Sequence, residues 1–129
     1  MTVALIIEDN ENNLELIRFI LEQAQYKTRF AMTGLEGVQQ ATTIPPDFII
    51  LDIQLPDING LEVLKRIRAH PAGIDIPIIA MTSYAMSGDR EKLLAAGCTG
   101  YIEKPIDPMT VIQQIQQVIN KNNVTKTTI

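Results

Sequence analysis

Three observations predict an α/β domain: a doubly wound, five-stranded parallel sheet with five helices. First, short apolar runs rich in β-favouring residues alternate with stretches of helical periodicity along the whole chain, giving five βα units. Second, runs such as Val3–Ile7 and Phe48–Leu51 are continuously apolar, as strands covered on both faces must be. Third, 129 residues fit one domain that can bury a sizeable core. Right-handed crossovers then set helices on both faces, and a common order for five such strands is 2-1-3-4-5.

The elements follow in turn. The strand Val3–Ile7 stops at Glu8-Asp9-Asn10. A helix from about Asn12 to Ala24 carries a stripe at helical spacing, Asn13, Leu16, Ile17, Ile20, Leu21 and Ala24, with Leu14 and Phe19 towards or beyond its margins. That stripe reads as a wide core face or as a partner surface beside the acidic pair. Lys27–Ala31 is a short second strand. Thr33 is placed to cap a helix from Gly34 to about Thr43, which Pro45-Pro46 terminates. Phe48–Leu51 is the third strand, ending in Asp52. After a loop over 53–60, a helix from Gly60 to about His70 carries Leu61, Leu64, Ile67 and Arg68, and Pro71-Ala72-Gly73 breaks it. Pro77–Met81 is the fourth strand, ending at Thr82-Ser83, and Ser87–Ala96 the fourth helix, stopped by Gly97. Gly100–Glu103 is the fifth strand, followed by Lys104-Pro105. A last helix runs from about Pro108, a tolerated first-turn position, to Asn120. The domain is therefore expected to occupy 1–121, with 122–129 a polar tail or the start of a linker.

Composition narrows the function. Apolar content of 46% with 20% charged residues is that of an ordinary globular domain. No apolar run is long enough to span a membrane, and no basic segment precedes the first strand as in a signal peptide. The single cysteine, Cys98, excludes an internal disulfide framework and a cysteine metal cluster, and fits a reducing cytoplasm. A net charge of −4 with scattered basic residues argues against direct nucleic-acid binding.

Chemistry gathers at the strand ends. Four of the five runs end in a chemically capable residue: Glu8-Asp9, Asp52, Thr82 and Lys104. Sites in parallel α/β sheets form at the carboxyl ends of strands, where the winding direction reverses. In order 2-1-3-4-5 that point lies between the first and third strands, so Asp9 and Asp52 would stand about one strand spacing, ~4.8 Å, apart. Taken singly, an Asp or Thr after a strand is a turn or cap residue and a Lys-Pro is surface. Two acidic ends, a hydroxyl and a lysine converging on one rim are hard to assign to turns. Three clustered carboxylates repel one another, and a hard divalent cation such as magnesium relieves this. With Lys104 adding positive charge, Asp52 becomes approachable by a phosphoryl dianion and can attack phosphorus to form an acyl phosphate. Thr82 can donate to a phosphoryl oxygen. Asp57 reads as a loop residue, Glu62, Asp89 and Glu91 as solvated helix faces, His70 as a partner for a helix C-terminus, and Cys98 as a small core residue.

These motifs are Ile7-Glu8-Asp9-Asn10, Leu51-Asp52-Ile53-Gln54-Leu55-Pro56 with Gly60-Leu61, Ala80-Met81-Thr82-Ser83, and Tyr101-Ile102-Glu103-Lys104-Pro105. With them the sequence resembles the receiver domain of two-component response regulators over about 3–121. Glu8-Asp9-Asn10 and Gly97-Cys98-Thr99-Gly100-Tyr101 are similar to single-domain cell-cycle or sporulation regulators and to hybrid-kinase receivers. The resemblance implies a flavodoxin-like fold and a set of roles. Asp52 would accept a phosphoryl group from phosphohistidine on a histidine kinase or phosphotransfer partner. Asp9, Asp52 and the main-chain carbonyl of Gln54 would ligate Mg2+, with Glu8 acting mainly through water. Lys104 would contact the phosphoryl group, and Thr82 and Tyr101 would form the switch. Gln54 and Tyr84 would tune water access, and Lys104-Pro105 would be cis. Glu8 departs from the family's commoner Asp but still supplies an oxygen. Asn10, Leu14 and Pro105 are candidate partner contacts. The output is expected to pass to a downstream protein by protein–protein contact.

Two rivals fit less well. An aspartyl-phosphate hydrolase normally carries a second Asp two residues after its nucleophile, where Gln54 stands here. A flavin-binding module needs a phosphate-binding loop after the first strand, where Glu8-Asp9-Asn10-Glu11 would repel phosphate.

Overall fold

The structure, a computed structural model, describes residues 2–83 and 87–127, with side chains except those of 87–89 and 121–127. Tyr84, the side chain of Asp89, and the side chains of the expected tail lie outside the described residues. Five strands, β1 (Val3–Ile7), β2 (Lys27–Ala31), β3 (Phe48–Asp52), β4 (Ile78–Thr82) and β5 (Gly100–Glu103), alternate with helices α1 (Glu11–Gln23), α2 (Gly34–Thr43), α3 (Gly60–Ala69), α4 (Ser87–Ala95) and α5 (Val111–Thr127). The sheet is parallel throughout, in the expected order β2-β1-β3-β4-β5.

The continuous apolar runs resolve into two cores, because successive strand side chains point to opposite faces. Leu5 and Ile7 of β1, Ile49 and Leu51 of β3, and Ile78 and Ala80 of β4 join Ala41, Val63, Leu64, Ile67 and Leu93 from α2, α3 and α4. The alternate residues Ala4, Ile6, Phe48, Ile50, Ile79 and Met81 meet Leu14, Ile17 and Leu21 of α1 and Val111 and Ile115 of α5. All five residues of β3 and of β4 are buried, so the polar ends of these strands, Asp52 and Thr82, emerge from the driest part of the sheet.

Three expectations need correction. The buried face of α1 is Leu14, Ile17 and Leu21, whereas Leu16 is 41% exposed. The stripe is thus rotated from the one read in the sequence, because the sheet contacts the line running through positions 14, 17 and 21. Leu14, at 4% exposure, is core and offers no surface to a partner. Helix α5 continues to Thr127, seven residues past the expected Asn120, so the backbone of 122–127 is helical. It starts at Val111, three residues after the expected Pro108, and the turn before it is organised by Asp107, whose carbonyl accepts from Thr110 N and Val111 N and whose Oδ1 accepts from Met109 N.

Thr33 caps α2 as expected, its Oγ1 accepting from Glu36 N, and α3 has a cap that the sequence reading did not name, Asn59 Oδ1 accepting from Glu62 N. His70 does stand at the end of α3, but its Nδ1 accepts from Ala72 N and opens the 3-10 turn Pro71–Gly73.

Candidate functional site

Each functional side chain sits where a buried strand meets solvent. Main-chain bonds fix the strand ends: Glu8 N donates to Ala31 O, Ile53 N to Met81 O, and Lys104 N to Thr82 O. Register pairs Asp52 with Met81 and Thr82 with Glu103, which brings the ends of β1, β3, β4 and β5 to one rim.

Glu8, Asp9 and Asp52 each offer a carboxylate oxygen, and these oxygens lie within 4.8 Å of one another. Glu8 and Asp52 are 1% and 4% exposed, while Asp9 faces solvent. Lys104 Nζ is 2.9 Å from Asp52 Oδ1 and 3.9 Å from Glu8 Oε1. Gln54 N also donates to Asp52 Oδ1, at 3.1 Å. Glu8 Oε2 accepts a long bond of 3.4 Å from Asn10 N, and its Oε1 is buried without a hydrogen bond. Burial, followed by the adjoining Asp52 carboxylate, pushes Glu8 up to about 7 from its ordinary 4.5. One lysine therefore does not balance the site. The surplus of hard oxygens, one of them buried without a hydrogen bond, suits a hard divalent cation such as magnesium.

Thr82 is 5% exposed at the end of β4. Tyr101 is half-buried on β5, with the Arg90 guanidinium 5.1 Å above its ring and Arg90 also 3.8 Å from Glu103. The Lys104-Pro105 peptide is cis. Asn10 caps α1 by accepting from Asn13 N, and Pro105 is exposed. Beside them an open groove of about 380 Å³ is lined by Asn13, Leu16, Ser83, Lys104, Pro105 and Ile106.

Sequence reasoning missed Asp57. It does lie in the loop after β3, but its two oxygens accept from Gly34 N at 2.8 Å and Leu35 N at 2.9 Å, at the start of α2. The N–H groups, that of Leu35 foremost, hold its carboxyl below the usual range. The available signal was an acidic residue in the loop together with a helix start at Thr33-Gly34, but nothing in the sequence shows that the two meet.

The chain matches the response regulator receiver domain family over residues 4–116. It belongs to that family. The polar-differentiation response regulator DivK of Brucella ovis is 41% identical over 115 residues, covering 89% of this chain and 94% of that one. Among solved structures, chemotaxis protein CheY4 of Vibrio cholerae superposes with a TM-score of 0.87 at 27% identity, over 92% of this chain and 98% of that one. The receiver domain of sensor histidine kinase PA1611 from Pseudomonas aeruginosa has a TM-score of 0.84 at 33% identity, with the same coverage, and has a magnesium ion coordinated in its active-site cleft. This receiver is thus a response regulator domain of two-component signalling, and its acidic cluster is compatible with magnesium.

Proposed function

We propose that this receiver takes a phosphoryl group onto Asp52 from a phosphohistidine of a histidine kinase or histidine phosphotransfer protein and thereby switches its contacts with a downstream protein. The observation that carries this reading is the setting of Asp52: a carboxylate 4% exposed, at the centre of the rim, with an ammonium at 2.9 Å and two further carboxylates beside it. An Asp52 oxygen forms the bond to phosphorus as the phosphorus–nitrogen bond of the donor breaks. The electron pair stays on the imidazole nitrogen, and the product is an acyl phosphate. Lys104 neutralises charge on the transferred group, and Thr82 donates its hydroxyl to it.

Glu8, Asp9, Asp52 and the carbonyl of Gln54 would hold magnesium, with Glu8 reaching it through water. The magnesium bound by PA1611 and the unsatisfied Glu8 oxygen support this assignment. When bound, the ion supplies the positive charge that lets a phosphoryl dianion approach a carboxylate. Thr82 and Tyr101 form the switch, which biases a two-state equilibrium. The groove between α1 and Pro105 opens directly on Lys104, which suits a donor helix docking beside Asn13 and Leu16. The protein acts on its own phosphoryl group only, as a switch and not as an enzyme for free substrates. It works in the cytoplasm without contacting nucleic acid or membrane. Among the described residues no helix is long and apolar enough to cross a membrane.

Incubation with phosphoramidate and magnesium tests the reading. Mass spectrometry should find one added phosphoryl group that is base-labile, suppressed by chelator and absent from Asp52→Asn. Rapid multiple turnover of phosphate esters, or no adduct on the wild type, overturns it.

A further inference from the structure

We propose that Asp57 is a positioning residue for Asp52, acting through the loop after β3, which it clips to the N-terminus of α2. This rests on the reading of Asp52 as the phosphoryl acceptor, and the geometry that supports it belongs to the loop itself.

The loop begins at the residue following Asp52, and its second residue touches the site, because Gln54 N donates to Asp52 Oδ1 at 3.1 Å. The path of the loop therefore places one donor on that oxygen, to which Lys104 Nζ also donates. The base of the loop is closed: Gly60 N donates to Ile53 O at 2.8 Å, and a Cβ on Gly60 would lie 2.6 Å from Ile53 Cα. The tip has a separate anchor. The two oxygens of Asp57 take the amides of Gly34 and Leu35 in a fork. Amides in the first turn of a helix have no intrahelical acceptor, and that end of the helix carries partial positive charge. Loop and helix also touch, since a Cβ on Gly34 would come within 2.7 Å of Ile58 Cγ1 and 2.8 Å of Val63 Cγ2.

Helix α2 does not depend on Asp57 alone for its cap. Thr33 Oγ1 takes a different amide, that of Glu36. Two caps on one helix end can therefore be separated: one is local to α2, and the other ties α2 to the acceptor loop. If Asp57 only stabilised α2, losing Thr33 would have the same consequences as losing Asp57. If it positions the loop, only the loss of Asp57 reaches Asp52.

The test compares wild type, Asp57→Ala, Asp57→Asn and Thr33→Ala. Amide hydrogen exchange at Gln54 is measured in the metal-free protein, and the Kd for Mg2+ by titration calorimetry. Asp57→Ala should speed exchange at Gln54 and weaken magnesium binding by about tenfold, the lower end for residues that support a metal site from behind. Asp57→Asn, which keeps one acceptor oxygen, should recover part of both. Thr33→Ala should lower the melting temperature while leaving both readouts close to wild type. Equal effects of Thr33→Ala and Asp57→Ala, or unchanged Gln54 exchange in Asp57→Ala because Ile58 packing suffices, overturn the inference. Failure of the acceptor reading looks different: wild type would form no phosphoryl adduct, while exchange at Gln54 would still report on the loop.

Discussion

Glu8 bears an electrostatic burden that its position in the fold imposes. It is almost fully buried beside Asp52, and its carboxyl is raised to about 7. The folded chain therefore holds this proton more tightly than the unfolded chain does. The associated stability is fully present below about 4.5, and it is lost as pH rises through about 7. In chelator at pH 8, Glu8→Gln should raise the unfolding free energy by on the order of 2 kcal/mol, read from urea denaturation, and the gain should vanish in acid. No gain at pH 8 would mean that the ionised carboxylate is not strained. Lys104 is the only ammonium that contacts the site among the described residues. Lys104→Ala should leave magnesium binding largely intact while weakening the response to phosphorylation. That response is followed as phosphorylation-dependent amide shifts at Thr82 and Tyr101, and an unaltered response would remove Lys104 from the switch.

Arg68 joins α3 to the segment that leads into β5. Its Nε donates to Gly97 O, its Nη1 to Gly73 O and its Nη2 to Thr99 Oγ1. Thr99 in turn ties down the start of β4, its Oγ1 accepting from Ile78 N and its own N donating to Ile78 O. Gly97 has φ 110°, where a side chain is strained, and a Cβ there would also lie 2.9 Å from Arg68 Cγ. One guanidinium thus serves two connections, the turn after α3 at Gly73 and the α4–β5 link at Gly97 and Thr99. Arg68→Ala should destabilise the fold by about 2 kcal/mol in denaturant titration, because hydrogen bonds to a charged group are lost. Arg68→Lys should recover only part of this, since one ammonium cannot reproduce the planar fork.

At the scale of the whole molecule, two dry cores hold the sheet from both sides while the rim concentrates negative charge. A ligand that binds only the folded chain stabilises it by mass action. Magnesium at a hundredfold excess over its Kd should therefore add about 2.7 kcal/mol of stability. A thermal melt should rise by several degrees, and by much less in Asp52→Asn. An equal rise in both proteins would place the ion elsewhere.

The parallel sheet, its strand order and the acidic, hydroxyl and lysine ends of four strands were legible in the sequence. They follow from local rules: continuous apolar runs, helix caps, and the tendency of parallel sheets to place chemistry at strand carboxyl ends. The sequence determined in this way that Glu8, Asp9, Asp52, Thr82 and Lys104 would share a rim. Tertiary structure alone decided which face of α1 is buried, moving Leu14 into the core and Leu16 to the surface, because helical periodicity specifies a stripe only to within its neighbours. It also decided the pairing of Asp57 with Gly34 and Leu35, across 23 and 22 positions, and of Arg68 with Gly97 and Thr99, across 29 and 31. Each of these bonds joins a helix to a distant loop, and the two meet only where the packing of the elements between them brings them together.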